Sequence, residues 1–282
     1  MVLKKIYFYI GILGLLMVAK GWAQSEKFSV MTYNIRLDIA SDGVNRWDNR
    51  KTPLLHQINT IHPDVLGVQE ALPHQMIELQ KGMPDYQKVG VGREENHTGE
   101  ASGLFIKTSR FIIKDSGTFW LSRTPDKISR GWDAACNRVC SFVRLEDRLN
   151  GKQCWVFNTH WDHVGEQART ESLALILAQI ALRNPNNEPV ILMGDFNTTP
   201  EHPRLKLLEN DWVNTYTAMN PGSTLGTFNG FQTDKPINNY IDYIWITRQA
   251  FIIHSSQILT EKPNHQWLSD HYPVLSVIEI KP

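Results

Sequence analysis

The chain has 282 residues, 41% hydrophobic and 21% charged, with 29 basic and 29 acidic side chains and a formal net charge of zero. That length and apolar share suffice for one large core, most simply one domain. The balanced charge excludes a strong general pull on nucleic acid or an anionic membrane, although a local basic patch stays open. Lys4 and Lys5 precede an apolar run from Ile6 to Ala19, and Gly21-Trp22-Ala23 puts small residues at the positions a signal peptidase reads. A secretory signal peptide over residues 1–23 is expected, with residues 24–282 forming a single domain that is exported, either periplasmic or secreted. Cleavage would take three lysines and no acid, leaving 26 basic against 29 acidic residues and a net charge of minus three. No transmembrane anchor would remain in the mature chain.

Phe28 to Asn34 alternates apolar and small polar residues and reads as a first strand, ending in Asn34-Ile35-Arg36. Asp48 is expected to cap a helix through Leu54, Leu55, Ile58 and Ile61, which His62-Pro63-Asp64 stops. Val65 to Glu70 is a second buried strand, and a carboxylate directly after its apolar run reads better as a ligand than as a solvated end. A helix near His74–Lys81 and a strand over Tyr86–Val91 follow, then a polar loop over residues 92–100. Glu100 sits at the mouth of the next strand, Ser102–Ile106. One strand or two lie within Ile112–Leu121. The long irregular segment Ser122–Arg138 is either functional or a covering loop around Trp132.

Asn150-Gly151 is a hairpin signal between strands Val139–Leu145 and Gln153–Thr159. The second strand runs into His160-Trp161-Asp162-His163. Glu166–Leu182 is an amphipathic helix with Leu173, Ile176, Leu177 and Ile180 on one side. Residues 189–194 form a buried strand that opens into Asp195-Phe196-Asn197. In extended chain Asp195 and Asn197 share a side, so a carboxylate stands beside a carboxamide; an Asx-type turn would use the same residues. A short helix is expected over Pro200–Leu208, and residues 210–238 are rich in turn formers. Tyr240–Ile246 alternates as a strand with Asp242 inside it, where a charge needs a partner or a wet face. A strand at Ile252–Leu259 and a last one at Val274–Ile280 flank Asp270-His271. Cys136, Cys140 and Cys154 allow one disulfide and a free thiol, or buried thiols.

Collected, Asn34, Glu70, His160, Asp195, Asn197, Asp242, Asp270 and His271 are strand-end polar residues able to converge on one rim. Oxygen donors without thiolates point to Mg²⁺, or Mn²⁺, before zinc. Histidines beside acids titrate near neutrality, and the set suits attack of water on phosphorus.

Thr32-Tyr33-Asn34, Gln69-Glu70, Asn158-Thr159-His160, Gly194-Asp195-Phe196-Asn197, Asp242-Tyr243 and Ser269-Asp270-His271, in that order, closely resemble the endonuclease/exonuclease/phosphatase superfamily across residues 28–280. The resemblance implies an α/β fold, a four-layer α-β-β-α sandwich of two mainly antiparallel or mixed sheets flanked by helices, with the site at one rim. It implies Glu70 as the principal Mg²⁺ ligand with Asn34 and Asp270 on the metal side. Asp195 would position or activate the water, and Asn197 would steady it and the phosphate. His271, oriented by Asp242, would contact the scissile phosphate. His160 would bind phosphate or protonate the leaving oxygen, with Glu100 supporting it. The activity implied is metal-dependent hydrolysis of a phosphodiester or phosphomonoester by in-line water.

The partner implied is a phosphoester substrate, either a small molecule, a nucleic acid or a phospholipid head group, with no obligate protein partner. Arg93, Arg123, Arg130 and Arg138 are candidates for a basic patch, and Trp120, Trp132 and Trp161 either stack on substrate or pack. The alternative function is a catalytically silent phosphate-binding module on the same sandwich.

Overall fold

The computed structural model describes residues 26–232 and 235–282, so the expected signal peptide lies outside the described residues. The strands are β1 (Phe28–Asn34), β2 (Val65–Ala71), β3 (Tyr86–Val89), β4 (Ala101–Lys107), β5 (Phe111–Trp120), β6 (Val139–Asp147), β7 (Gln153–His160), β8 (Val190–Asp195), β9 (Trp212–Asn214), β10 (Asp242–Thr247), β11 (Phe251–Ile258) and β12 (Val274–Ile280). The α-helices are α1 (Trp47–Ile61), α2 (Pro73–Gly82), α3 (Glu166–Arg183), α4 (Pro203–Leu208) and α5 (Thr215–Met219).

Two six-stranded mixed sheets result, ordered β11-β12-β1-β2-β4-β3 and β5-β6-β7-β8-β10-β9. Each sheet has one parallel pair at its centre, β1 with β2 and β7 with β8. Parallel neighbours need a crossover, and α1 and α3 supply them. Alternation along β1 sends Val30 into the core between the sheets and Met31 and Tyr33 toward α1 and α2. Leu54 and Ile58 of α1 and Met76 and Leu79 of α2 cover that outer face, while Leu173, Ile176 and Ile180 of α3 pack on the second sheet. The expected four-layer sandwich is therefore present.

Both parallel pairs end at the same rim, so Asn34, the end of β2, His160 and Asp195 come together there. The antiparallel strand β10 starts at that rim, with Asp242 opposite Asp195. A polar joint ties the sheets just beneath it. Buried Asn158 accepts from Gln69 Nε2 at 2.7 Å and donates to Val68 O at 2.9 Å and Gly103 O at 2.7 Å.

Two expectations change and two are resolved. Asp48 lies in the first turn of α1, whose N-cap is Arg46, because the helix starts two residues earlier than an Asp48 cap requires. Asp242 begins its strand instead of lying within it, which places its charge at the rim. Ile112–Leu121 is one strand, β5, carrying a bulge between Ile113 and Asp115. The turn-rich stretch after residue 210 contains β9 and α5, where Asn214 caps α5 by accepting from Tyr216 N–H at 3.0 Å.

Candidate active site

A cavity of about 560 Å³ opens at this rim. At its floor Asp195, 1% exposed, is the hub. Asn34 Nδ2 donates to Asp195 Oδ2 at 3.0 Å, and the Asn197 backbone N–H donates to Oδ1 at 2.9 Å. His160 Nε2 and His271 Nε2 lie 3.5 and 3.8 Å from Oδ2. The turn that makes this possible needs glycine. Gly194 has φ +137°, and a Cβ there would meet Thr159 O at 1.9 Å. Asn197 takes φ +47°, which asparagine tolerates. Burial, reinforced by Asp242, pushes the Asp195 carboxyl up to about 7.

His271 Nδ1 lies 2.8 Å from Asp242 Oδ2, and neither residue is more than 4% exposed. Against the effect of burial, that carboxylate raises the His271 imidazole to about 10. The ring is therefore charged near neutral pH, with N–H groups on both nitrogens. The Nε2–H then faces Asp195, not Asn34 Nδ2, which is itself a donor.

Glu70 sits in the irregular stretch of β2 and holds φ +61°, a strained conformation for a residue with a Cβ. That turn aims its carboxylate at Asn34, whose Nδ2 donates to Oε1 at 3.1 Å. Asn34 thus bridges two carboxylates through its nitrogen, while its oxygen accepts from Arg36 N–H at 3.0 Å. That oxygen has a second lone pair, so the bond to Arg36 N–H is compatible with the metal-side place expected of Asn34. The Arg36 guanidinium lies 3.8 Å from Glu70 and 3.7 Å from Asp270, but its best contacts, both 2.9 Å, go to Asp42. Burial and the nearby Glu70 raise the Asp270 carboxyl.

Glu70, Asp270, Asp195 and Asp242 therefore crowd one rim, opposed by His271 and a shared Arg36, with buried Arg50 also near Asp270. Hard oxygen donors with surplus negative charge fit a divalent cation. Two positions qualify. Glu70 and Asp270 flank one. Asp195, Asp242 and His271 can bring ligand atoms within 4.8 Å of one another at the other, and Asp242 Oδ1 is buried without a hydrogen-bond partner among the described residues. In the second, His271 is already engaged with Asp242, so the first fits a cation better.

On the cavity's other flank, His160 Nε2 accepts from Asn197 Nδ2 at 3.0 Å. Burial, with Arg138 and Arg93 nearby, lowers the His160 pKa well below its ordinary value, so the ring is neutral. A neutral ring with its Nε2 occupied suits phosphate positioning better than protonation of a leaving oxygen. Glu100 lines the cavity, but its carboxylate pairs with Arg93 through contacts of 2.8 and 2.9 Å, and no hydrogen bond links it to His160.

Two of the proposed stacking residues are packed. Trp161 is fully buried against Phe196, ring centroids 4.1 Å apart, and Trp120 is buried with its N–H on Arg93 O. Arg123 and Arg130 are exposed and do not line the cavity, whereas Arg93 and Arg138 do. All three cysteines are free thiols. The sequence reading missed three contributors. Arg36 faces the acids, Phe228 lies 5.0 Å from the His271 ring, and Thr227 Oγ1 accepts from Asp242 N–H at 3.2 Å. The last two belong to the Thr-Phe-Asn-Gly turn, whose Asn229 N–H also donates to Asp270 O at 2.8 Å. Its flanking turn formers hid that it ties two site residues together.

Comparison with known proteins places this geometry. An endonuclease/exonuclease/phosphatase from Bacteroides vulgatus is 33% identical, with TM-score 0.83, covering 90% of this chain and 99% of that one. A mannosyl-6-phosphatase from Bacteroides thetaiotaomicron is 30% identical, with TM-score 0.82, covering 90% of this chain and all of that one. Human Nocturnin is 25% identical over 287 residues, covering 86% of this chain and 63% of Nocturnin. The chain spans between about half and three fifths of the length of the curated relatives it matches first. The profile of the Endonuclease/Exonuclease/phosphatase family matches residues 31–271, and with the sandwich and its acidic rim this shows that the chain belongs to that family.

Proposed function

We propose that the protein is an exported, divalent-metal-dependent hydrolase of a small phosphomonoester such as a sugar phosphate. The observation that carries the reading is Asp195, a buried carboxyl at about 7 with a charged His271 Nε2 3.8 Å away. A carboxylate near that value can accept a proton at neutral pH, and an imidazolium beside it can hold a phosphoryl oxygen. Asp195 takes a proton from water as the water oxygen bonds to phosphorus in line with the ester oxygen, whose bond to phosphorus breaks. Asn197 and neutral His160 position the phosphate. His271, kept charged by Asp242, supplies the proton the leaving oxygen needs. Mg²⁺ or Mn²⁺ held by Glu70 and Asp270 would neutralise phosphate charge.

The small-substrate reading draws on the cavity, which has the volume of a small-molecule site, and on the likeness to the mannosyl-6-phosphatase. Among the described residues no helix is long and apolar enough to cross a membrane. Export rests on residues 1–23, whose composition matches a cleaved leader, leaving residues 24–282 as one domain.

The test is turnover of sugar phosphates, inositol phosphates, sphingomyelin, single- and double-stranded DNA, RNA and a chromogenic phosphodiester. Sugar or inositol monoesters should be cleaved fastest, and Asp195→Asn should lower turnover by about a hundredfold or more. Cleavage confined to nucleic acid or lipid would replace the monoester reading. Silence across the panel in a folded protein would favour the phosphate-binding module.

A further inference from the structure

Arg138 is 5% exposed and sits immediately before β6, in the cavity wall beside His160. Its Nε lies 3.4 Å from Asp162 Oδ2, and its Nη2 lies 2.9 Å from His163 Nδ1. Its Nη1 is buried with no hydrogen-bond partner among the described residues. A guanidinium is always charged, and leaving one of its N–H groups unmet in the interior is unfavourable.

The neighbouring acid does not explain the arginine. Asp162 Oδ1 already accepts from Gly165 N–H at 2.7 Å and Val164 N–H at 3.0 Å. Against the effect of burial, those backbone groups and that of Ala135 hold its carboxyl well below the usual range. Arg93 stands on the same flank and also lines the cavity. Its two terminal nitrogens are locked on Glu100, while its Nε is buried without a hydrogen-bond partner among the described residues and 3.5 Å from Glu94 Oε1. Each guanidinium is thus fixed from behind by an acid and turns unused N–H groups into the wall. Arg138 stands one strand beyond His160 and two beyond Asp195, and both arginines share a small recess of the rim with Glu70.

We infer that Arg138, with Arg93, forms an anion subsite that binds a second acidic group of the substrate, apart from the phosphate that reacts. Resting on the phosphoesterase reading, this narrows the substrate to small phosphomonoesters that carry another phosphate or a carboxylate. Planar, pre-positioned guanidinium N–H groups match either oxyanion.

The experiment measures kcat/KM of the metal-loaded enzyme on glucose 6-phosphate, glucose 1,6-bisphosphate and gluconate 6-phosphate. These carry respectively no second anion, a second phosphate and a carboxylate. Wild type should prefer at least one of the last two over glucose 6-phosphate by about tenfold or more, with the gap mainly in KM, as loss of a charge-assisted hydrogen bond implies. Arg138→Gln and Arg93→Gln should each shrink that ratio toward one. The two doubly anionic compounds separate a phosphate subsite from a carboxylate subsite. A wild-type ratio near one, or a ratio unchanged in both variants, overturns the inference. An equal loss on all three compounds would mean the arginines hold the reacting phosphate, which also overturns it.

A second arm keeps this test separate from the activity itself. Sulfate binding is titrated in EDTA for wild type and both variants, with circular dichroism confirming that each is folded. Sulfate affinity should fall about fivefold or more in the variants. If no phosphoester is cleaved the proposed function fails, and the sulfate arm alone decides the subsite, with equal affinities refuting it.

Discussion

Replacing Asn158 by leucine tests how the rim is held together. Asn158 is fully buried at the joint between the sheets, two residues before His160, and its partner Gln69 is next to Glu70. Leucine keeps the volume and removes three hydrogen bonds. Val68 O and Gly103 O lose the donor they share, while Gln69 Nε2 keeps Thr32 Oγ1 at 3.0 Å. Two buried carbonyls left unmet at about 1–3 kcal/mol each predict a loss of about 2–6 kcal/mol. For a chain this long that corresponds to a fall in Tm of roughly 3–10 °C. Turnover should fall as well, because Glu70 and His160 are carried on the two strands the joint connects. Thermal unfolding and steady-state kinetics measure both. A Tm within about 2 °C of wild type with unchanged kcat would refute the claim that this network sets the spacing of the rim.

Three further outcomes follow from the same geometry. Gly194→Ala should abolish soluble expression or lower Tm severely, since its Cβ would fall 1.9 Å from Thr159 O at a φ of +137°; a well-folded variant would contradict the turn described. Cys140 and Cys154 are fully buried and burial raises both thiols, so a thiol reagent should label them only after denaturation, with half-buried Cys136 labelling first. His271 has a folded value of about 10, above its unfolded value of about 6.5. Its contribution to stability is therefore complete below about pH 6.5 and lost as pH rises to about 10. Wild type should lose Tm across that window more steeply than His271→Gln, and parallel pH profiles would remove the charged Asp242–His271 pair from the account.

The strands carrying the site were legible because each is an apolar run that stops at a polar residue. Phe28–Asn34 and Val274–Ile280 match the reading residue for residue. Both parallel pairs deliver those stops to one rim, so residues far apart in sequence meet. Short elements were less legible. β9 and α5 span three and five residues, too few for a period to show. Pairing across the cavity was not legible at all. Glu100 turns to Arg93 and not to His160, and Arg138 reaches the cavity wall through contacts with Asp162 and His163 on the loop after β7. Nothing in a single sequence states which acid neutralises which arginine. The strain at Glu70 was likewise invisible, since its φ of +61° depends on the irregular pairing of β2 with β4.

If the acidic rim uses a divalent cation to hydrolyse a small phosphomonoester, removing the cation or its principal ligand should stop the reaction. Phosphate release from mannose 6-phosphate is measured with residues 24–282, in Mg²⁺ and in EDTA, for wild type and Glu70→Gln. Release should occur in Mg²⁺ and be lost in EDTA, and the variant should stay folded but be slower and need more Mg²⁺. Equal release with and without EDTA, or a Glu70→Gln variant as active as wild type at every Mg²⁺ concentration, would contradict this use of the cation.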